Sequence, residues 1–126
     1  MKTSLIVIPG KVPAKSNCYK VARRDGHGAL VKHDKLVVYE SMFWWRCPIR
    51  GKRDKPLITE PFAIRLKVYF HKKACDLDNS LKIILDILQR KCHVIADDNL
   101  CARIEAEKFI DRENPRIEFE LETLTD

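Results

Sequence analysis

Residues 62–91, Phe62-Ala-Ile-Arg-Leu-Lys-Val-Tyr-Phe-His71 followed by Lys-Lys-Ala-Cys-Asp76-Leu-Asp-Asn-Ser-Leu-Lys82-Ile-Ile-Leu-Asp86-Ile-Leu-Gln-Arg-Lys91, change period in the middle. In the first ten, Phe62, Ile64, Leu66, Val68 and Phe70 alternate with Ala63, Arg65, Lys67, Tyr69 and His71, the two-residue period of a half-buried strand. From residue 78 the period becomes helical: Leu81, Ile84, Leu85 and Leu88 recur at i, i+3, i+4 and i+7 and predict a helix over 78–91 with that stripe inward. Ile83 and Ile87 fall on a separate face, which either closes the core from another side or meets a second subunit. A strand followed at once by an amphipathic helix sets the fold class as mixed.

Outward from this unit the chain supplies further elements. Leu5–Ile8 reads as a first buried strand, too short an apolar run for a signal peptide. Residues 9–33 are rich in Pro, Gly, Lys and Arg without periodicity and read as a long basic loop. A helix is expected from Asp34, as N-cap, to about Arg46, before Pro48. Residues 101–110 and 116–122 read as strands, with Asn114-Pro115 turning between them to make a hairpin. The order β-α-β-α-β-β predicts one α+β domain over residues 1–126, a single mixed sheet packed by two helices. A length of 126 residues at 45% hydrophobic content supports one core and no second domain.

Composition narrows the function. No apolar run reaches the length of a transmembrane helix. The five cysteines (18, 47, 75, 92, 101) are odd in number, scattered and without a Cys-x-x-Cys pair, so reduced thiols in a cytoplasmic protein are expected rather than a disulfide frame or a zinc site. The net charge of +6 conceals an asymmetry: residues 1–75 carry 17 Lys/Arg against 5 Asp/Glu, while residues 76–126 carry 7 against 13. A basic first part suits a polyanion, nucleic acid foremost. Lys20, Arg23, Arg24, Lys32, Arg50, Lys52, Arg53, Lys72 and Lys73 are the candidate phosphate contacts, which position a duplex without reading its sequence. Tyr39, Phe43, Trp44 and Trp45 read first as packing for the first helix, with base stacking as the alternative.

The acidic residues of the second part are not scattered. At 100° per residue, Asp78, Lys82, Asp86 and Gln89 fall within about 80° of one another on the helix. Asp76 stands at the strand-to-helix junction and Asp97-Asp98 in the loop before the next strand. Carboxylates gathered from these places, beside one lysine, would suit a hard divalent cation with oxygen ligands and several waters. Such an ion activates water and offsets phosphoryl charge, and an ammonium adds to that stabilisation. Spacing alone equally allows an i,i+4 ion pair of Asp78 with Lys82, an N-cap at Asp76 or Asp78, and a plain turn at Asp97-Asp98.

The run Asp76-Leu77-Asp78-Asn79-Ser80-Leu81-Lys82, then Asp86, then Asp97-Asp98, resembles the RusA family of Holliday-junction resolvases. That family carries Asp-x-Asp-Asn-x-x-Lys-x-x-x-Asp followed by an Asp pair, and all seven of these positions agree across the 23 residues from 76 to 98. Ser16-Asn17-Cys18-Tyr19 is similar to the family's Ser-Asn segment, and Lys108, a further candidate DNA contact, falls where such proteins often carry a lysine. The resemblance implies a Mg²⁺-dependent endonuclease, with Mn²⁺ as substitute, that resolves four-way junctions by paired nicks as a two-fold homodimer. It implies Asp76, Asp78 and Asp98 as metal-site carboxylates, Lys82 acting on the phosphate, Asp86 as a further ligand or as the group orienting Lys82, and Asp97 in support. A branched-DNA-binding module without catalysis is the alternative. One departure stands out: the turn before the Asp pair, where the family has a glycine, reads Lys91-Cys92-His93.

Overall fold

A computed structural model describes residues 1–24 and 26–125; the Arg24 side chain, one of the candidate phosphate contacts, lies outside the described part. The elements are β1 (Ile6–Pro9), β2 (Tyr19–Arg24), β3 (His27–Lys32), α1 (Asp34–Arg46), β4 (Phe62–Phe70), α2 (Leu77–Arg90), β5 (Cys101–Ile110) and β6 (Arg116–Thr123), with short 3-10 turns at Lys15–Asn17 and Asp98–Leu100. The α+β class, the two helices and a mixed sheet are as the sequence predicts. Four strands form that sheet in the order β1-β6-β4-β5, and β2 with β3 make a separate two-stranded ribbon.

Sheet order follows from where apolar side chains must go. β4 has the strongest alternation and takes the interior position, antiparallel to β6 on one side and parallel to β5 on the other. The parallel pair is joined by the α2 crossover, as parallel strands require. Ile64, Leu66 and Val68 of β4, Ile117, Phe119 and Leu121 of β6, and Ile6 and Ile8 of β1 are all buried on one face. Phe43 of α1 stacks on Phe119 with ring centroids 6.0 Å apart, and α2 covers the rest. The opposite face is charged: Arg65 bonds Glu105 and Glu122, and the Arg116 guanidinium lies 3.8 Å over the Tyr69 ring.

Three expectations are corrected. β5 and β6 do not pair as a hairpin; both flank β4. β5 carries Arg103, Glu105, Glu107 and Lys108 and stays at the edge, whereas the apolar half of β6 needs the interior. The 111–115 turn therefore crosses the end of β4, with Asp111 N donating to Phe70 O. The basic loop is not wholly irregular, because β2 and β3 pair in register from Tyr19–Lys32 to Arg24–His27. Gly26, between the two strands, takes a positive φ of 79°. The α2 core face is Ser80, Ile83, Ile84, Ile87 and Leu88, with Leu81 and Leu85 only half-buried, so Ile83 and Ile87 face this chain's own core and not a second subunit. Two smaller differences accompany these. β1 is an edge strand with Leu5 and Val7 exposed around buried Ile6 and Ile8. His33 caps α1 by accepting Lys35 N at Nδ1, and Asp34 is the first helical residue.

Lys32, one of the candidate phosphate contacts, is committed elsewhere. Its ammonium lies 2.9 and 3.1 Å from the two carboxylate oxygens of Glu40, which is buried in α1. The ion pair ties the ribbon to the helix. Lys32→Met leaves that carboxylate without its cation, and a cost of about 1–2 kcal/mol is expected, the low end because the lysine is itself partly solvated. The hydrogen bond to Glu40 raises the Lys32 pKa above its usual 10.5. A raised lysine contributes fully below its unfolded value and loses that contribution as pH climbs through the folded one. Urea unfolding should therefore separate wild type from Lys32→Met at pH 8, and the gap should shrink in the alkaline range above about pH 10.5.

Candidate active site

α2 begins where the chain turns off the end of β4. Asp76 Oδ1 accepts Asp78 N at 3.0 Å and caps the helix, and Ser80 Oγ, buried one turn in, donates to Asp76 O at 3.3 Å. Asn79 Nδ2 donates to Pro13 O at 3.2 Å and pins the segment after β1 across the helix start. The loop between β4 and α2 is held from the edge strand: Lys108 Nζ donates to Lys73 O and to Cys75 O, each at 2.6 Å, and stands 5.4 Å from the Phe70 ring centroid. Lys108 is thus a brace for the backbone that carries Asp76. Sequence reading assigned it to DNA, since a spacing cannot reveal which carbonyls a lysine will meet.

Two cavities flank the start of α2 and share Lys15 and Asn79 on their walls. One, of about 550 Å³, is bounded by Asp76, Lys72, Ser16 and the pinned 12–14 segment. The other, of about 500 Å³, is bounded by Lys82, Asp86, Asp98, Cys18 and Tyr19. The Ser16–Tyr19 stretch therefore lies against both. Lys15 and Asn79 were not singled out by the sequence reading as site residues, although Asn79 stands inside the quoted motif.

The expected helix face is present. Asp78 Oδ2 lies 3.7 Å from Lys82 Nζ, and Asp86 Oδ1 lies 2.9 Å from Arg90 Nε. The Asp78–Lys82 pair is largely solvated and of little structural worth, which leaves both groups available to a ligand. Asp98 sits farther along. Its backbone N donates to Gln89 Oε1 at 3.0 Å, near the C-terminal end of α2. Asp97 accepts Asn99 N at 2.9 Å and caps the 3-10 turn, so of the two it is Asp98 that bounds the cavity. The structure therefore gathers Lys82, Asp86 and Asp98 around one cavity and sets Asp76 by the other. Among the described residues no three His, Cys, Asp or Glu side chains stand close enough to hold a metal ion. From Asp78 to Gln89 the helix advances about 16 Å, which is why one chain does not bring Asp98 to Asp76 and Asp78.

The turn after α2 explains the departure in the motif. Lys91 N and Cys92 N both donate to Ile87 O, and His93 then takes a positive φ of 52°. His93 adopts the backbone conformation a glycine would take more easily.

A family model described as endodeoxyribonuclease RusA matches residues 9–122. The chain belongs to the RusA family. The match runs from the end of β1 into β6 and takes in the whole of α2 with both flanking cavities. A search of the curated proteins finds no significant match. A RusA endodeoxyribonuclease acts on DNA, and the remaining cations bear on that. Lys20 is 3.4 Å from Asp34, Arg50 lies over the Trp44 ring at 4.2 Å, and Arg23, Lys52, Arg53, Lys72 and Lys73 are exposed. Among the described residues no helix is long and apolar enough to cross a membrane.

Proposed function

We propose that this chain is a metal-dependent endonuclease that resolves four-way DNA junctions by paired symmetric nicks. One observation carries the reading: in a chain of the RusA family, Asp76 and Asn79 at the head of α2 line the cavities that flank it, Asp78 stands exposed beside them without lining either, and Lys82 follows one turn on. Asp76 and Asp78 fit a Mg²⁺ ion, or Mn²⁺ in its place. They are exposed hard oxygen donors, the cap engages Asp76 through Oδ1 alone, and Mg²⁺ needs few protein carboxylates because it keeps most of its waters. When bound there, such an ion supplies an acidified water and offsets charge on the scissile phosphate. Asn79 and Lys108 hold the backbone that carries the two carboxylates. Lys82 leaves its weak pairing with Asp78 to neutralise the phosphate, and Asp86, paired with Arg90, lines the same cavity as that ammonium.

A homodimer completes the reading, because two symmetric nicks call for two sites related by the junction's own two-fold axis. β5 is a ten-residue edge strand with Ile104 and Ile110 exposed, which is the kind of edge that pairs with another chain. β4 and β5 run parallel, so the Asp76 end of the sheet lies beside Ile110 and the Asp98 end beside Cys101. Antiparallel pairing of β5 with its two-fold mate would bring the Asp98 end of one copy to the Asp76 end of the other. Light scattering at micromolar concentration is expected to give twice the 14.7 kDa chain mass, and Ala106→Pro on β5 to give the single mass. A monomeric wild type sinks the dimer.

The reading as a whole is tested by incubating a four-way junction, a flap and a linear duplex with the protein across a Mg²⁺ titration. Metal-dependent paired nicks in the junction are expected. Tight junction binding without cleavage at any metal concentration would favour the alternative, a branched-DNA-binding module, which the dispersed acids of a single chain also allow.

A further inference from the structure

The last turn of α1 carries two tryptophans of different fate. Tyr39 and Phe43 fill the core, whereas Trp45 is 75% exposed and projects away from it. Trp44 stands edge-on to Trp45 with ring centroids 5.2 Å apart, and the Arg50 guanidinium covers Trp44 at 4.2 Å. The indole pair is thus braced on one side and open on the other. A cavity of about 460 Å³ opens beside it, bounded by Trp44, Trp45, Ser41, Arg90, Lys91 and His93. The basic turn after α1 is fixed to this rim, because Gly51 N donates to Cys92 O at 3.0 Å and Leu57 N to His93 O at 3.4 Å. Gly51 is required for that approach, since a Cβ there would run into the His93 carbonyl.

We propose that this face, at the C-terminal ends of α1 and α2, is a second nucleic-acid site that stacks an unpaired base on Trp45 and takes the strand's phosphates on Arg90, Lys91 and Arg50. Exposed aromatic rings among cations are what single strands require, since every base offers a stacking face and every linkage a negative charge. Residues 46–55 hold five Lys/Arg against one acid, Asp54. Asp86 engages Arg90 at Nε, yet the Arg90 side chain stays 71% exposed. A second copy of this chain is a poor occupant, for a two-fold contact would set the same cations against each other. The face is remote from Asp76 and Asp78 at the head of α2: Asp78 to Arg90 spans about 18 Å of helix, the length of about five base pairs. A strand left unpaired beside a branch would be held there while a phosphate several nucleotides away reaches the head of α2. The inference rests on the proposed function only in taking DNA as the substrate, and it needs no catalysis.

The test is binding without metal, so a failure to cleave leaves it intact. The chain has two tryptophans, so Trp44→Phe keeps Trp45 as the sole indole reporter. Titrating that variant with a twelve-residue oligothymidylate in EDTA at low salt is expected to quench its fluorescence. Trp45→Ala is expected to weaken binding of the same labelled oligonucleotide about 10-fold by anisotropy. Absent quenching, or unchanged affinity in Trp45→Ala, overturns the site. A Trp45→Ala protein that halves its mass while binding normally would instead mark a contact between copies, and also overturns it. Should that variant not fold, Lys91→Glu on an exposed side chain reads the same face: binding weakened about 5-fold or more supports the site and unchanged binding overturns it.

Discussion

Asp78→Asn is expected to lower junction cleavage by about 100- to 1,000-fold at saturating Mg²⁺ while leaving junction binding in EDTA near the wild-type level. The substitution is nearly isosteric and the helix does not depend on the side chain, because the cap is made by Asp76 Oδ1 to the backbone N of residue 78, which asparagine retains. The Asp78–Lys82 pair is mostly solvated, so its loss costs little stability. What disappears is one of two hard oxygen donors, replaced by a neutral amide. Binding should if anything tighten, because a negative charge that repels phosphate has gone. The measurement is single-turnover cleavage of a labelled four-way junction beside an electrophoretic binding series. Asp78→Asn that cuts at the wild-type rate would remove the carboxylate from the chemistry and leave only the solvated ion pair. Asp76→Asn is a less clean experiment, since it alters the cap as well.

The sequence made the β4–α2 unit legible because both periods are long and uninterrupted there, and the helix face of Asp78, Lys82 and Asp86 followed from geometry alone. The ribbon escaped notice because its strands pair only with each other. Val21 and Leu30 are exposed cross-strand partners, so no burial alternation marks them. The partner of β6 was illegible for a different reason. Asn114-Pro115 specifies a change of direction, but not which strand the chain joins after it, and that choice was made by the apolar demand of Ile117, Phe119 and Leu121. Within the site, the residues along α2 were readable since one element sets their spacing. The separation of Asp98 from Asp76 was not, because it depends on the length of α2 and on Gln89 catching the Asp98 backbone at the far end. Lys32 and Lys108 share one lesson: a lysine's charge suggests phosphate, yet one is committed to a buried carboxylate and the other to two carbonyls.

Lys108→Met is expected to slow cleavage by about 10- to 100-fold, the range for removing a group that orients a ligand rather than one that is a ligand. The methionine keeps an apolar stem of similar length against Phe70, so the edge strand should stay packed. The lost interaction is specific: two carbonyls, of Lys73 and Cys75, no longer share one ammonium, and the turn that delivers Asp76 to the head of α2 can relax. A phosphate-binding lysine and a backbone brace predict different data. Removing a phosphate contact weakens binding across all DNA forms and lowers the salt dependence of the binding constant by about one unit. Removing a brace leaves both unchanged and falls on turnover. Lys108→Arg should recover part of the rate, because a guanidinium can reach the same carbonyls with a different fork. Binding isotherms at several salt concentrations, set beside single-turnover rates for the two variants, decide between them. A shallower salt slope with an unaltered rate would return Lys108 to the DNA surface and leave the Asp76 turn to stand on Asn79 and its own cap.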